Sequence, residues 1–395
     1  MIQRDYLVIG AGTAGVSVCE GIRQYDKRGK VLMVGNESHP PYSRISLSKG
    51  FLRDKEPGVE GTFAHPPAWY EQQKIDLRLN TLVTQLNLDR RLAVLSSGQT
   101  IEFKKACLAT GSRPARPQVA GYNLGNIIYL RSIGDALALK EMFAVEGEII
   151  VVGSGYIAVE AAAALRHGKH KVSLLTRDAA LWNQMLDAET AAWLTNQFRQ
   201  HGVGLHLQES LNGFEGKTVL RNIQTKNGNR YPVALALVAV GSEMNLELVR
   251  NTPLSSAKGT PVNEFLETDE KGIYAAGDIA LYPDRVLGGV RRTDHWENAR
   301  QQGLLVGANM TGKKRQRYDH VPVYNSELFD LQFQFVGDFT GGPPAKVVRE
   351  GSFEKKSFVA KHFQGDKLRA AVLVNRPPAE GLEIGRLIRT HHGKA

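Results

Sequence analysis

The chain has 395 residues, 42% of them apolar and 23% charged, and a net charge of +10. That composition excludes a disordered or fibrous chain and suits about two to four globular domains. The basic surplus fits acidic partners, anionic cofactors or simple solubility, and so decides no function.

The first element predicted is a strand, the apolar run 5–9, ahead of Gly10-Ala-Gly12-Thr-Ala14-Gly15. A helix follows to about Tyr25, then a second strand at Val31–Val34. The same order recurs at 148–175: Glu-Ile-Ile-Val-Val, Gly153-Ser-Gly155-Tyr156-Ile157-Ala158, an Ala-rich helix, and a strand at 172–175. Each copy is a βαβ dinucleotide-binding unit. The short runs 106–109, 235–240 and 273–276 end in Gly-bearing turns, as strands of a covered sheet do. Beyond about 320 the pattern alternates in Leu331-Gln-Phe333-Gln-Phe335, with turn residues at 341–344. That predicts a separate antiparallel α+β domain. The expected fold class is α/β: two Rossmann-like dinucleotide-binding domains plus a small C-terminal α+β domain.

Gly10 makes the tight turn, Gly12 lets backbone approach a pyrophosphate, and Gly15 lets helix and strand pack closely. The helix start supplies free N–H groups and partial positive charge. Glu37, about 20 residues on, is placed to accept from ribose hydroxyls. In the second copy Ala158 holds the third glycine position, and the second strand ends in Thr176-Arg177 without an acid. A neutral residue followed by Arg suits a 2′-phosphate, so NADPH and NADH both stay open. Two glycine motifs imply two dinucleotides, and the natural pair is FAD with NADH or NADPH.

Cys19 and Cys107 are the only cysteines, which excludes a disulfide scaffold and a cysteine-built metal site; no metal is expected. No apolar run approaches the ~18 residues needed to span a bilayer. The stretch 6–19 has no basic flank beyond Arg4, unlike a signal peptide. A soluble protein of a reducing, cytoplasmic compartment is expected.

Three further motifs carry a resemblance. They are Ala109-Thr110-Gly111-Ser-Arg113-Pro114, Thr268-Asp-Glu-Lys-Gly-Ile-Tyr-Ala-Ala-Gly277-Asp278, and Pro41-Tyr42-Ser-Arg44-Ile-Ser-Leu47-Ser48-Lys49. Their order and spacing resemble the two-dinucleotide-binding flavoprotein reductases over nearly the whole chain. Residues 42–48 hold serines where the disulfide-reducing branches carry cysteine. The remaining branch is that of ferredoxin and rubredoxin reductases, apoptosis-inducing factor and monodehydroascorbate reductase. The segment Ala239-Val240-Gly241-Ser242 resembles the return between domains. The resemblance therefore divides the chain into an FAD-binding domain (1–112 and 243–320), an NAD(P)H-binding domain (113–242) and a C-terminal domain (321–395).

The resemblance implies that Lys49 sits by flavin N5 and pairs with Glu160; these are the expected catalytic residues. It places Gly10, Gly12, Ala14, Gly15, Glu37, Arg44, Val83, Ala109, Thr110, Gly111, Arg131, Gly277, Asp278, His295 and Trp296, with Lys49, around FAD. It places Gly153, Gly155, Tyr156, Ile157, Glu160, Thr176, Arg177, Val240 and Gly241 around the nicotinamide nucleotide. Asp278 would accept from ribityl hydroxyls, and Arg44 would meet the pyrophosphate as a charge-assisted pair. Trp296 either stacks near the flavin or is a core residue. Relatives usually carry Phe-Trp-Ser-Asp where this chain has Tyr324-Asn325-Ser326-Glu327, which weakens any transfer of acceptor identity.

The implied activity is hydride transfer from NAD(P)H to FAD, then electron delivery. The acceptor is an acidic carrier such as ferredoxin or rubredoxin, or a small molecule. The alternative is a redox-sensing or scaffold flavoprotein like apoptosis-inducing factor, with slow NADH turnover. No aromatic-interleaved basic strand supports nucleic-acid binding. Monomer and homodimer both stay open.

Overall fold

Ile2–Ile9 forms the centre of the first sheet, because Tyr6 to Ile9 are apolar and buried on both faces. The structure is a computed structural model describing residues 2–53, 58–340, 342 and 344–392. Strand order across the first sheet is Ile75–Arg78, Val31–Val34, Ile2–Ile9, Thr100–Leu108, Leu92–Leu95 and Val83–Asn87. A seventh strand, Ile273–Ala275, pairs parallel to Ala106–Leu108. The register sets Ile9 beside Val34 and Leu108, and Leu108 beside Ala275. The carboxyl ends of four parallel strands therefore lie level, and the helix Thr13–Tyr25 starts there. Crevices at such strand ends are where open α/β sheets bind ligands.

The second sheet repeats this plan. Ile149–Val152 is flanked by Val172–Leu175 and Leu235–Val238, with Gly204–His206 and Ile127–Ile128 outside, all parallel. Its glycine helix is Tyr156–His167. The two chain crossings between sheets pair antiparallel, Ser112–Pro114 against Ser242–Met244, so the chain leaves and returns at one place.

The C-terminal sheet is wholly antiparallel. Its order is Val323–Leu328, Leu331–Gly337, Lys367–Val374, Ser357–Gln364 and Lys346–Ser352. Leu331, Phe333 and Phe335 point inward as their alternation predicted. The helix Pro378–His392 covers one face through Ile384 and Ile388. Of the turn expected at 341–344, Gly341 and Pro343 lie outside the described residues. Aromatic rings join this sheet to the second: Trp182 lies 5.3 Å from Phe335, and Tyr156 5.4 Å from it. No described helix is long and apolar enough to cross a membrane.

Candidate functional site

Gly10 turns at φ 117, and a Cβ there would lie 2.1 Å from the Ala109 carbonyl oxygen. Only glycine lets this turn sit under Ala109. Gly12 is different, because a Cβ there would meet nothing within 4 Å. It borders open space. Gly12 caps the helix Thr13–Tyr25 without a side-chain hydrogen bond, and no acid lies in the first turn. Its first N–H groups thus face that space with their partial positive charge uncompensated.

Polar side chains ring this turn. Glu37 pairs with Arg44 and accepts from the Tyr42 hydroxyl. Burial alone would raise the Glu37 carboxyl, but Arg44 and Tyr42 outweigh it and the net direction is down. Arg44 also donates to the Arg131 carbonyl at 3.0 Å. Arg131 reaches Asp278 at 3.1 Å, and Ser112 donates to the same carboxylate oxygen at 2.5 Å. Arg131 Nη2 lies 3.6 Å from where a Cβ on Gly111 would be, and the Gly277 position lies 3.0 Å from the Ala14 methyl. Thr110 exchanges hydrogen bonds with Asn245. Gly10, Gly12, Ala14, Glu37, Arg44, Ala109, Gly111, Arg131, Gly277 and Asp278 therefore share one neighbourhood. Among the described residues, Arg131 Nε is buried there without a hydrogen-bond partner. An open cradle, a bare helix start and this unused donor fit an anionic dinucleotide. Val83 is half-buried on an outer antiparallel strand, opposite Leu95.

The second glycine turn is similar. A Cβ on Gly155 meets nothing within 4 Å, and the helix Tyr156–His167 starts without a side-chain cap. Two apolar side chains stand open beside it, Ile157 at 41% and Val240 at 43% exposure. They fit a nucleotide laid over them. Thr176 is buried, whereas Arg177 is exposed. Asp178 turns inward, accepting from Ser154 of the glycine turn and from Gln184 at 3.3 Å. Gly241 accepts from the Ala115 N–H at 2.9 Å.

Lys49 meets Glu160 on the helix of the second turn, Nζ 3.1 Å from Oε1. Glu160 is 7% exposed. Burial pushes its carboxyl up, opposed by Lys49 and by the hydroxyls of Ser326 and Ser48. His295 caps the helix Trp296–Thr311, its Nδ1 accepting from the Glu297 N–H at 3.3 Å. Burial, helped by the Lys49 ammonium, moves His295 down to about 3, so it is neutral near pH 7. Its ring stands edge-on to Tyr324 at 4.3 Å, and Trp296 is half-buried beside it.

Ser48, Ser112, Ser154, Asp178 and Ser326 were not singled out as site residues by sequence reasoning. A lone serine carries no spacing signal. Its only mark was a position inside a recognised motif. Cys19 and Cys107 are fully buried, and burial pushes the Cys19 thiol up to about 12 and Cys107 further. Neither is a reactive thiolate.

The family described as pyridine nucleotide-disulphide oxidoreductase matches residues 4–303. Over 375 residues the chain is 29% identical to the ferredoxin–NAD(+) reductase subunit of the benzene 1,2-dioxygenase system of Pseudomonas putida, covering 94% of this chain and 89% of that one. It is 30% identical over 374 residues to peroxisomal monodehydroascorbate reductase 4 of Arabidopsis thaliana, covering 90% and 76%. The fold matches the crystal structure of a covalent putidaredoxin reductase–putidaredoxin complex with a TM-score of 0.92, at 27% identity over 99% of this chain and 94% of that one.

Proposed function

The chain belongs to the pyridine nucleotide-disulphide oxidoreductase family, and from that premise we propose how this FAD-dependent NAD(P)H oxidoreductase works and what it serves. The observation that carries the reading is the Lys49–Glu160 pair, which joins the segment after the first glycine turn to the helix of the second. Bound FAD supplies the chemistry, accepting a hydride from NAD(P)H and releasing electrons to an acceptor.

The start of the helix Thr13–Tyr25 and Arg44 hold the FAD pyrophosphate, Glu37 the ribose, and Asp278 the ribityl chain. The start of the helix Tyr156–His167 would hold the nicotinamide dinucleotide, with exposed Ile157 and Val240 offering it apolar contact. Lys49 would offer the flavin a cation that favours developing negative charge. Glu160 fixes that cation. Hydride transfer needs close stacking rather than an acid or base, so a neutral His295 is no obstacle. This assigns FAD to 1–112 with 243–320, the nicotinamide nucleotide to 113–242, and a covering role to 321–395.

For the acceptor we favour an acidic electron-carrier protein of the ferredoxin class. Two things support it: the ferredoxin reductase and putidaredoxin reductase among the relatives, and the +10 charge. A small-molecule acceptor is the competing choice, as in the monodehydroascorbate reductase relative. A cytoplasmic setting agrees with two buried free cysteines.

Anaerobic stopped-flow reduction of the yellow protein by NADH and NADPH tests the reading. Rapid bleaching by either one, then re-oxidation by added ferredoxin, is expected. Slow bleaching by both would sink the electron-supply role and favour a redox sensor.

A further inference from the structure

Asn325 and Ser326 belong to the C-terminal strand Val323–Leu328, yet both reach the Lys49–Glu160 ion pair. The Asn325 carbonyl accepts from Lys49 Nζ at 3.1 Å. The Ser326 hydroxyl donates to Glu160 Oε1 at 2.7 Å. Adjacent residues of one strand thus hold the two members of the pair, one each. Alternation along the strand turns Ser326 inward and Asn325 outward, so Lys49 takes the backbone of Asn325 and not its side chain.

We propose that Ser326 is a positioning residue for hydride transfer. By donating to Glu160 it favours the charged carboxylate against burial, and so holds the Lys49 ammonium in one place. The C-terminal sheet then belongs to the redox machinery and is more than a cover. This inference rests on the function proposed above.

Glu160 sits where burial raises its carboxyl, and three donors oppose that rise: Lys49, Ser326, and Ser48 at 2.9 Å. The groups facing the pair come from every element packed on it. Tyr156 lies on the same helix and Tyr324 on the C-terminal strand; burial raises both phenols, so they are neutral. His295 is neutral too. Arg53, on the short helix Gly50–Arg53, is paired with Glu327 at 2.8 Å. Ser43 and Ser46 bring no charge. Among the described residues, Lys49 is thus the charged group in contact with Glu160. A buried carboxylate that loses one of three donors relieves the loss by taking a proton. Lys49 would then stand without a counter-charge beside the flavin.

The test is the midpoint potential of bound FAD against pH, titrated with a chemical reductant. Ser326→Ala is expected to move the inflection of that curve to higher pH, by about tenfold in proton affinity. Ser326→Thr keeps the hydroxyl and should restore the wild-type curve. An alanine variant that melts earlier but traces the wild-type curve would show a structural role alone and overturn the proposal. Should Ser326→Ala not fold, Glu160→Gln decides: its curve must lose the inflection, and an inflection that persists overturns the assignment. Because the reductant is chemical, a wild-type protein reduced by neither NADH nor NADPH would refute the proposed function and the link to hydride transfer, while the pH curve would still show whether Ser326 tunes Glu160.

Discussion

Arg291 reaches from the hairpin after Ala280–Pro283 to Asp338 at the end of the C-terminal sheet, with Nη2 3.0 Å from Oδ2. Its Nε lies 2.8 Å from Asp284, and Asp338 also pairs with Arg369. This buried network fastens the C-terminal sheet to the segment that carries Asp278.

Removing Arg291 strips buried Asp284 of its ion pair and leaves Asp338 with Arg369 alone. Arg291→Ala is expected to destabilise by about 3–5 kcal/mol at pH 7. Burial would raise the Asp338 carboxyl, but Thr340 and Arg291 hold it below the usual range. A depressed carboxylate stabilises above its unfolded value and loses that contribution as pH falls through its folded one. The Arg291→Ala penalty should therefore shrink below about pH 4. Chemical denaturation at neutral and acid pH checks this; equal penalties at both would contradict it.

Gly12 and Gly155 both border open space. Alanine at either is expected to leave stability within about 0.5 kcal/mol. Gly12→Ala should purify without yellow colour, because the methyl takes the room a pyrophosphate needs. Gly155→Ala should keep its FAD but bind the nicotinamide nucleotide about tenfold more weakly, a loss near 1.4 kcal/mol. A Gly12→Ala protein with a full complement of FAD would refute the cradle.

Arg177 is exposed and has no ion-pair partner among the described residues, while Asp178 is occupied by Ser154 and Gln184. Arg177→Ala should cost about tenfold in kcat/KM with NADPH, the loss of one charge-assisted contact. The NADH value should change little. Steady-state kinetics with both nucleotides decide it, and equal losses would mean that Arg177 does not read a 2′-phosphate.

His362 is 4% exposed, and burial moves it down to about 4 against the pull of Asp187. The unfolded chain protonates this histidine near 6.5 and the folded one only near 4. Its contribution is therefore complete above pH 6.5 and lost progressively down to pH 4, worth roughly 3 kcal/mol. His362→Gln should flatten the fall of Tm across that window. An unchanged slope would show that His362 is not the titrating group.

The glycine turns, their strands and helices, and the C-terminal change of pattern were legible because periodicity and glycine spacing are local signals. The Lys49–Glu160 pair was legible only through family resemblance, since residues 111 apart share no periodicity. The hydroxyls of Ser48 and Ser326 stayed silent for the same reason. So did the tie between Glu37 and Arg44: sequence assigned both to FAD and gave no sign that the two would also neutralise each other. Asp178 was passed over because the strand end was read only as far as Arg177. Only the inward turn of the strand end brings it to Ser154.

The pairing of Ile273–Ala275 with Ala106–Leu108 has a consequence for synthesis. The second sheet draws all its strands from Ile127 to Val238 and can close while the ribosome is still at work. The first sheet cannot. For on the order of 10–30 s of elongation, the Ala106–Leu108 segment presents a bare apolar edge to the cell. Gly277 and Asp278, directly behind the missing strand, arrive only when that interval ends, so the first glycine turn gains these neighbours late, with the C-terminal sheet still to follow.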